Sequence, residues 1–180
     1  MPRDFNLLAT TYRGNERNAC SELRYLLEQI GDATPRVNKT GISGLIAAKS
    51  SLNPIDAVKK LREFLHERPY EFRYMLRIIP VENVVRTDVS EIGKVAAELG
   101  SRIGERETFR VTVEKRFTTI STHDIIETVA ANIKRKVNLE KPDKILLIEV
   151  VGGSTGISLT APDDLLSVMK EKCSKLAFSG

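Results

Sequence analysis

The chain has 180 residues, 41% of them apolar, with two cysteines, two histidines and a formal net charge of +4. That length suits one large or two small domains, and the apolar content is enough to build a core for either. Cys20 and Cys173 lie far apart with no histidine pair beside them, so neither a disulfide framework nor a zinc site is suggested, and no apolar run approaches the ~20 residues of a membrane span.

The amino terminus, Met-Pro-Arg-Asp-Phe, lacks a signal-peptide pattern, so a reducing cytoplasm is the expected location. Charge is uneven along the chain: residues 1–86 hold 14 Lys/Arg against 10 Asp/Glu, whereas residues 87–180 hold 14 of each. A modest basic surplus permits nucleic-acid binding without demanding it.

Phe5–Thr11 reads as a short strand. Asn15 then caps a helix whose apolar positions Ala19, Leu23, Leu26, Leu27 and Ile30 recur at helical spacing, and Gly31 ends it. Pro35–Lys39 and Leu45–Lys49 form a hairpin across Thr40-Gly41-Ile42-Ser43-Gly44. Asn53, with Pro54 at the first helical position, opens a second helix that buries Ala57, Val58, Leu61, Phe64 and Leu65. Pro69 stops it before a strand over Phe72–Val81. The order is βαββαβ, so residues 1–86 are expected to form a ferredoxin-like domain with both helices on one face of an antiparallel sheet.

Asp88-Val89-Ser90-Glu91 opens a helix carrying Ile92, Val95, Ala96, Leu99 and Ile103 inward, with Gly100 and Gly104 weakening its last turns. In Thr108–Val113, Phe109, Val111 and Val113 alternate with Thr108, Arg110 and Thr112, which gives a strand with one buried face. Ser121-Thr122-His123-Asp124 then caps a helix ending in Lys134-Arg135-Lys136 that buries Ile125, Ile126, Val129, Ala130, Ile133 and Val137. Lys144–Val151 is an apolar run suited to a central strand, and Gly152–Gly156 is a turn into the short strand Ile157–Thr160. Pro162 with Asp163 and Asp164 starts a last helix packed through Leu165, Leu166, Val168 and Met169. The fold class is therefore α+β, with domains at residues 1–86 and 87–180.

Enzyme signatures are missing. The segment Gly152-Gly153-Ser154-Thr155-Gly156 lacks the lysine of a phosphate-binding loop and the spacing of a dinucleotide site. His123 beside Asp124 fits a helix start better than a catalytic set, and no carboxylate pair suits acid–base work. No catalytic residue, metal or cofactor is expected.

The stretch FRVTVEKR…STHDIIETVAANI…VNLEKPDKILLIEV resembles the THUMP domain, a tRNA-binding module of several tRNA-modifying systems. Its most telling part is Val137-Asn138-Leu139-x-x-Pro142-Asp143 entering an apolar strand. The resemblance implies that the second domain, with the preceding ferredoxin-like one, grips the acceptor stem and 3′ end of tRNA and sets a fixed distance to the modified base. Family members that catalyse do so through additional domains, so the resemblance implies a tRNA-binding adaptor rather than an enzyme. It is similar to the adaptor of a separate RNA cytidine acetyltransferase making N4-acetylcytidine in the D-arm. The tRNA-binding subunit of a methylation or thiolation system is the alternative, ahead of an enzyme with an unrecognised site.

Within the resemblance, the candidate RNA contacts are the cations and hydroxyls at element ends. Lys115 and Arg116 leave the first strand and lead into Thr119 and the helix start at Ser121, whose amides suit a phosphate. Lys134, Arg135 and Lys136 serve either RNA or the helix dipole. Arg110 offers a bidentate fork on a strand's polar face. Lys39, Arg73, Arg77 and Arg86 are weaker extensions. With no Trp and most Phe and Tyr at core-like positions, recognition of shape and backbone is expected rather than base stacking.

Overall fold

A computed structural model describes residues 3–178, which form two units: one running to Pro80 and resuming at Asp164, the other spanning residues 81–163.

The first unit contains β1 (Leu7–Thr10), α1 (Glu16–Gln29), β2 (Arg36–Lys39), β3 (Leu45–Lys49), α2 (Pro54–Glu67) and β4 (Arg77–Pro80). β4 pairs with β1, β1 with β3 and β3 with β2, all antiparallel, so the expected βαββαβ order is present. Its core joins Leu7, Leu23, Leu26, Leu27, Leu61 and Leu65. Asn53 starts α2 as expected, its Oδ1 accepting from the amides of Ile55 at 3.0 Å and Asp56 at 3.2 Å. Asn15 makes no such bond. Instead the Glu16 carboxylate accepts from the amides of Gly44 at 2.7 Å and Gly14 at 3.2 Å, which holds its pKa below the usual range. The carboxylate thereby ties the start of α1 to the hairpin turn.

That turn is demanding at Gly44, where φ is +74° and a Cβ would stand 2.9 Å from the Thr11 carbonyl oxygen. Gly41, at φ +86°, has nothing within 4 Å. We expect Gly44→Ala to cost about 2 kcal/mol and Gly41→Ala only the backbone part of that, read from urea midpoints. Equal losses would show that the Thr11 carbonyl yields freely.

The strand expected over Phe72–Val81 is confined to β4. Glu22 on α1 explains why, because its carboxylate accepts from three successive amides, Arg73 at 2.7 Å and Tyr74 and Met75 at 2.9 Å each. Those amides are thus lost to a ladder.

The final helix also differs from expectation. Pro162–Asp164 is a single 3₁₀ turn, followed by the short strand β10 (Leu166–Ser167) and by α5 (Val168–Phe178). β10 pairs with β4, and Arg62 and His66 on α2 reach Glu171 at 3.0 and 2.6 Å. The helix expected to close the second domain therefore belongs to the first unit. Leu166 and Val168 are buried there, but Met169 is exposed.

The second unit contains β5 (Asn83–Arg86), α3 (Val89–Gly100), β6 (Thr108–Arg116), α4 (Thr122–Ala131), β7 (Lys136–Val137), β8 (Lys144–Val151) and β9 (Ser154–Thr160). The sheet order is β5-β9-β8-β6-β7, with β6 parallel to β7 and β8 and the other pairs antiparallel. β5 and β7 are additions to the sequence reading. Ile92, Ala96, Ile125 and Val129 from the helices pack with Phe109, Leu146, Ile148 and Val150. A Cβ on Gly93 would meet Thr128, and one on Gly100 would meet Ile133, each at 2.8 Å. Glycine at these two positions lets α4 and Ile133 approach α3 closely.

Three boundaries shift. α4 ends at Ala131, so Lys134–Lys136 lie beyond it, and Val137 and Ile126 are exposed rather than buried. The β8–β9 turn is only Gly152-Gly153, since Val151 already pairs with Ser154. β6 continues to Arg116, three residues past the expected end.

Candidate nucleic-acid interface

β5, β6 and β8 point the same way, so the ends of all three and the starts of α3 and α4 gather at one end of the sheet. Thr87 joins this end to the β8–β9 turn, its amide donating to the Gly153 carbonyl at 2.9 Å and its hydroxyl to that of Gly152 at 2.8 Å. Arg86, Lys115, Arg116, Thr119 and Ser121 all lie here. Lys134, Arg135 and Lys136 lie at the opposite end, before β8, where Lys136 pairs with Thr108 at the start of β6. The nine residues of β6 separate the two groups by about 26 Å, at roughly 3.3 Å per residue. The eight candidate contacts therefore do not converge on one site.

Their individual settings divide them further. Arg110 and Arg116 share the face of β6 that points away from α3 and α4, whereas Lys115 is on the helix side, its Nζ donating to the Ile120 carbonyl at 2.8 Å. Arg116 Nη1 donates to Glu149 Oε2 at 2.8 Å, and both side chains are largely shielded from water, at 18% and 4% exposed. Arg110 Nη1 donates to the Leu139 carbonyl at 2.9 Å, and its Nε is buried without a hydrogen-bond partner among the described residues. Arg135 Nε donates to the carbonyls of Ile103 and Gly104 at 3.1 and 3.0 Å, and its Nη1 to that of Lys134 at 2.8 Å. The arginines are thus engaged in holding loops and strands. The lysines are more exposed: Lys115 at one end, where it also holds the Ile120 carbonyl, and Lys134 and Lys136 at the other.

Ser121 caps α4, accepting from the Asp124 amide at 3.3 Å, and Thr119 is exposed beside it. Among the weaker candidates, Lys39 lines an open cleft of about 380 Å³ with Arg13 in the first unit, where Glu16 offsets one of the two charges. Arg73 and Arg77 are exposed in the same unit.

The Val137–Asp143 segment acts as a scaffold. Asn138 Oδ1 accepts from the amides of Glu140 and Lys141 at 3.1 and 3.0 Å, Pro142 is buried, and Asp143 Oδ2 accepts from the Thr108 amide at 2.8 Å. The Thr108 amide and hydroxyl hold the Asp143 carboxyl below its ordinary pKa. This arrangement clips the starts of β6 and β8 together.

One residue at the strands' carboxyl end escaped sequence reasoning. Phe117 is 75% exposed and sits at φ +55°, directly after Lys115 and Arg116. A signal was present, since a large aromatic there follows the last strand position and is flanked by cations and hydroxyls instead of apolar residues.

Residues 86–160 match the family model described as the THUMP domain. This segment is a THUMP domain. The match begins at the end of β5 and runs to the end of β9. THUMP domains are RNA-binding, and the module occurs in tRNA modification.

The chain is 27% identical over 167 residues to an uncharacterised protein of Methanocaldococcus jannaschii, covering 90% of this chain and 42% of that one. Among solved structures it resembles a Pyrococcus horikoshii protein, with a TM-score of 0.61 and 17% identity, covering 87% of this chain and 54% of that one. It also resembles a 4-thiouridine synthetase crystallised with RNA and ATP, with a TM-score of 0.57 and 16% identity, covering 91% and 42%. The chain thus spans roughly half or less of each of these proteins. The two structures share its fold across both the THUMP segment and the first unit.

No described helix is long and apolar enough to cross a membrane.

Proposed function

We propose that this chain is a tRNA-binding adaptor that grips the acceptor stem and 3′ end and presents the molecule to a separate modification enzyme. The observation that carries the reading is the THUMP domain at residues 86–160, with exposed Lys115, Thr119 and Arg86 at the end of its sheet where two helices begin. The helix starts favour anions there, and phosphate contacts of this kind fix position without reading sequence. The reading gives the chain no chemistry of its own and no cofactor. In this reading its partner is an RNA cytidine acetyltransferase making N4-acetylcytidine in the D-arm, acting in the cytoplasm, as the resemblance to the adaptor members of the THUMP family implies.

Thiolation is the second reading, favoured because one structural relative is a 4-thiouridine synthetase bound to RNA. Reconstitution separates the two. Added to each catalytic protein in turn, the chain should raise turnover on tRNA with its own partner only.

The binding surface is tested with Lys115→Ala/Arg86→Ala against Lys134→Ala/Lys136→Ala, each titrated with folded tRNA at several salt concentrations. The first pair should weaken binding and reduce the slope of log affinity against log salt by about one for each phosphate no longer bound. The second should do less. If the order is reversed, the RNA surface is at the opposite end of the sheet.

A further inference from the structure

The sheet end that carries the proposed interface displays Phe117 in a way the fold does not require. A phenylalanine at 75% exposure contributes little burial. At φ +55° it also occupies the left-handed region, which is unfavourable for a residue with a Cβ and better suited to glycine or asparagine. Neither cost is repaid inside the domain. The side chain is absent from the hydrophobic cluster formed by α3, α4 and the sheet, and Ile120, three residues on, supplies the apolar contact of this loop instead. A position whose folding preference is polar and flexible holds a large rigid ring.

Its surroundings say what the ring is for. Lys115 is exposed two residues before it, and Thr118 and exposed Thr119 come next in the chain. Across the sheet end, Arg86 is 75% exposed and pairs with Glu91 at 3.6 Å. No exposed aliphatic side chain lies near Phe117 in sequence: Ile126, Val137 and Leu139 belong to α4 and to the segment beyond it. A protein partner would be met by an apolar patch, whereas a lone ring among cations and hydroxyls matches a nucleic acid strand whose phosphates pass along the cations while one base turns inward. We propose that Phe117 is a stacking platform for an unpaired RNA base. This rests on the RNA-binding reading of the THUMP domain and adds to it a contact that reads whether the RNA is single-stranded at that point. Duplex RNA keeps its bases stacked on one another, so only an unpaired nucleotide reaches the ring.

The chain contains no tryptophan, so Phe117→Trp places the sole indole of the protein at this position. The experiment titrates the 180-residue chain as wild type, Phe117→Ala and Phe117→Trp with a hairpin bearing a four-nucleotide single-stranded 3′ overhang and with its blunt counterpart. We expect Phe117→Ala to lose about tenfold in affinity for the overhang hairpin and nothing for the blunt one, with its melting midpoint unchanged. Phe117→Trp should retain overhang binding, and its fluorescence should be quenched by the overhang hairpin but not by the blunt one. If wild type binds RNA and Phe117→Ala binds both hairpins as wild type does, the stacking proposal is overturned and the RNA reading stands. If wild type binds neither hairpin nor folded tRNA, both fall together. An indole that responds to neither RNA while wild type binds them places the ring on another kind of partner.

Discussion

Replacing Arg116 by alanine should destabilise the second unit by about 3 kcal/mol, the largest effect expected of any cation in the THUMP domain. Arg116 stands opposite Val151 in the parallel pairing of β6 with β8, and Glu149 is one diagonal step away on the same face. The carboxylate is 4% exposed and receives the guanidinium at 2.8 Å. Removing the arginine leaves a buried carboxylate without its cation, which costs far more than the net value of the pair, because the Coulomb gain only offsets the desolvation of both groups. Arg116→Leu combined with Glu149→Leu should therefore be more stable than Arg116→Leu alone. Urea denaturation followed by circular dichroism checks both statements, the midpoint falling with little change in slope. A loss below about 0.5 kcal/mol for Arg116→Ala would mean that the pair is as weak as an exposed one. Loss of RNA binding by Arg116→Ala reports this structural failure, so exposed Lys115 is the sounder probe.

Helix and strand existence was largely legible in this chain because the signals are local. Asn53-Pro54 and Ser121 start helices through hydrogen bonds made within three residues, and the apolar alternation of Thr108–Val113 marks the buried face of β6. The features that were not legible depend on distant partners. Glu22 takes the amides that would have extended β4, and nothing near residue 22 announces this. β5 exists because β9 pairs with it, and β10 attaches to β4 from a position about 90 residues away, so chain order alone places the last helix with the wrong neighbour.

The site was less legible than the fold, for a related reason. Lys115, Arg116 and the Lys134–Lys136 run look alike as charges, yet one arginine is buried against Glu149, another holds loop carbonyls, and only the lysines are exposed. A glutamate inside the otherwise apolar run Lys144–Val151 was the available clue that a cation on the adjoining strand would be used up inside the fold. The distance along β6 separates the two basic clusters, and that distance follows only from the parallel pairing of β6 with β8.

Asp32→Ala should cost the first unit about 3 kcal/mol at neutral pH and much less in acid. Asp32 is 1% exposed at the end of α1. Its Oδ1 accepts from the Thr34 amide at 3.0 Å and the Ser51 hydroxyl at 2.7 Å, and its Oδ2 accepts from the Ser50 hydroxyl at 2.7 Å and the Ser51 amide at 3.1 Å. The Ser50 amide in turn donates to Asn6 Oδ1 at 2.8 Å, so one carboxylate links the exit of α1, the exit of β3 and the entrance to β1. Burial opposes its ionisation, but the hydroxyls of Ser50 and Ser51 and the two amides outweigh burial and lower its pKa. Because the folded value lies below the unfolded one of about 4, the stabilisation is fully present above pH 4 and is lost as pH falls through the folded value. Asp4, Glu16, Asp143 and Glu171 are lowered too, so acid weakens wild type through several groups at once. The informative quantity is the difference between wild type and Asp32→Ala in urea midpoint from about pH 7 to about pH 3. That difference should shrink as the carboxylate is protonated. A gap that stays constant across the range would assign the loss to packing rather than to the charge, while Asp32→Asn, which brings an amide donor where only acceptors fit, should sit close to alanine at neutral pH.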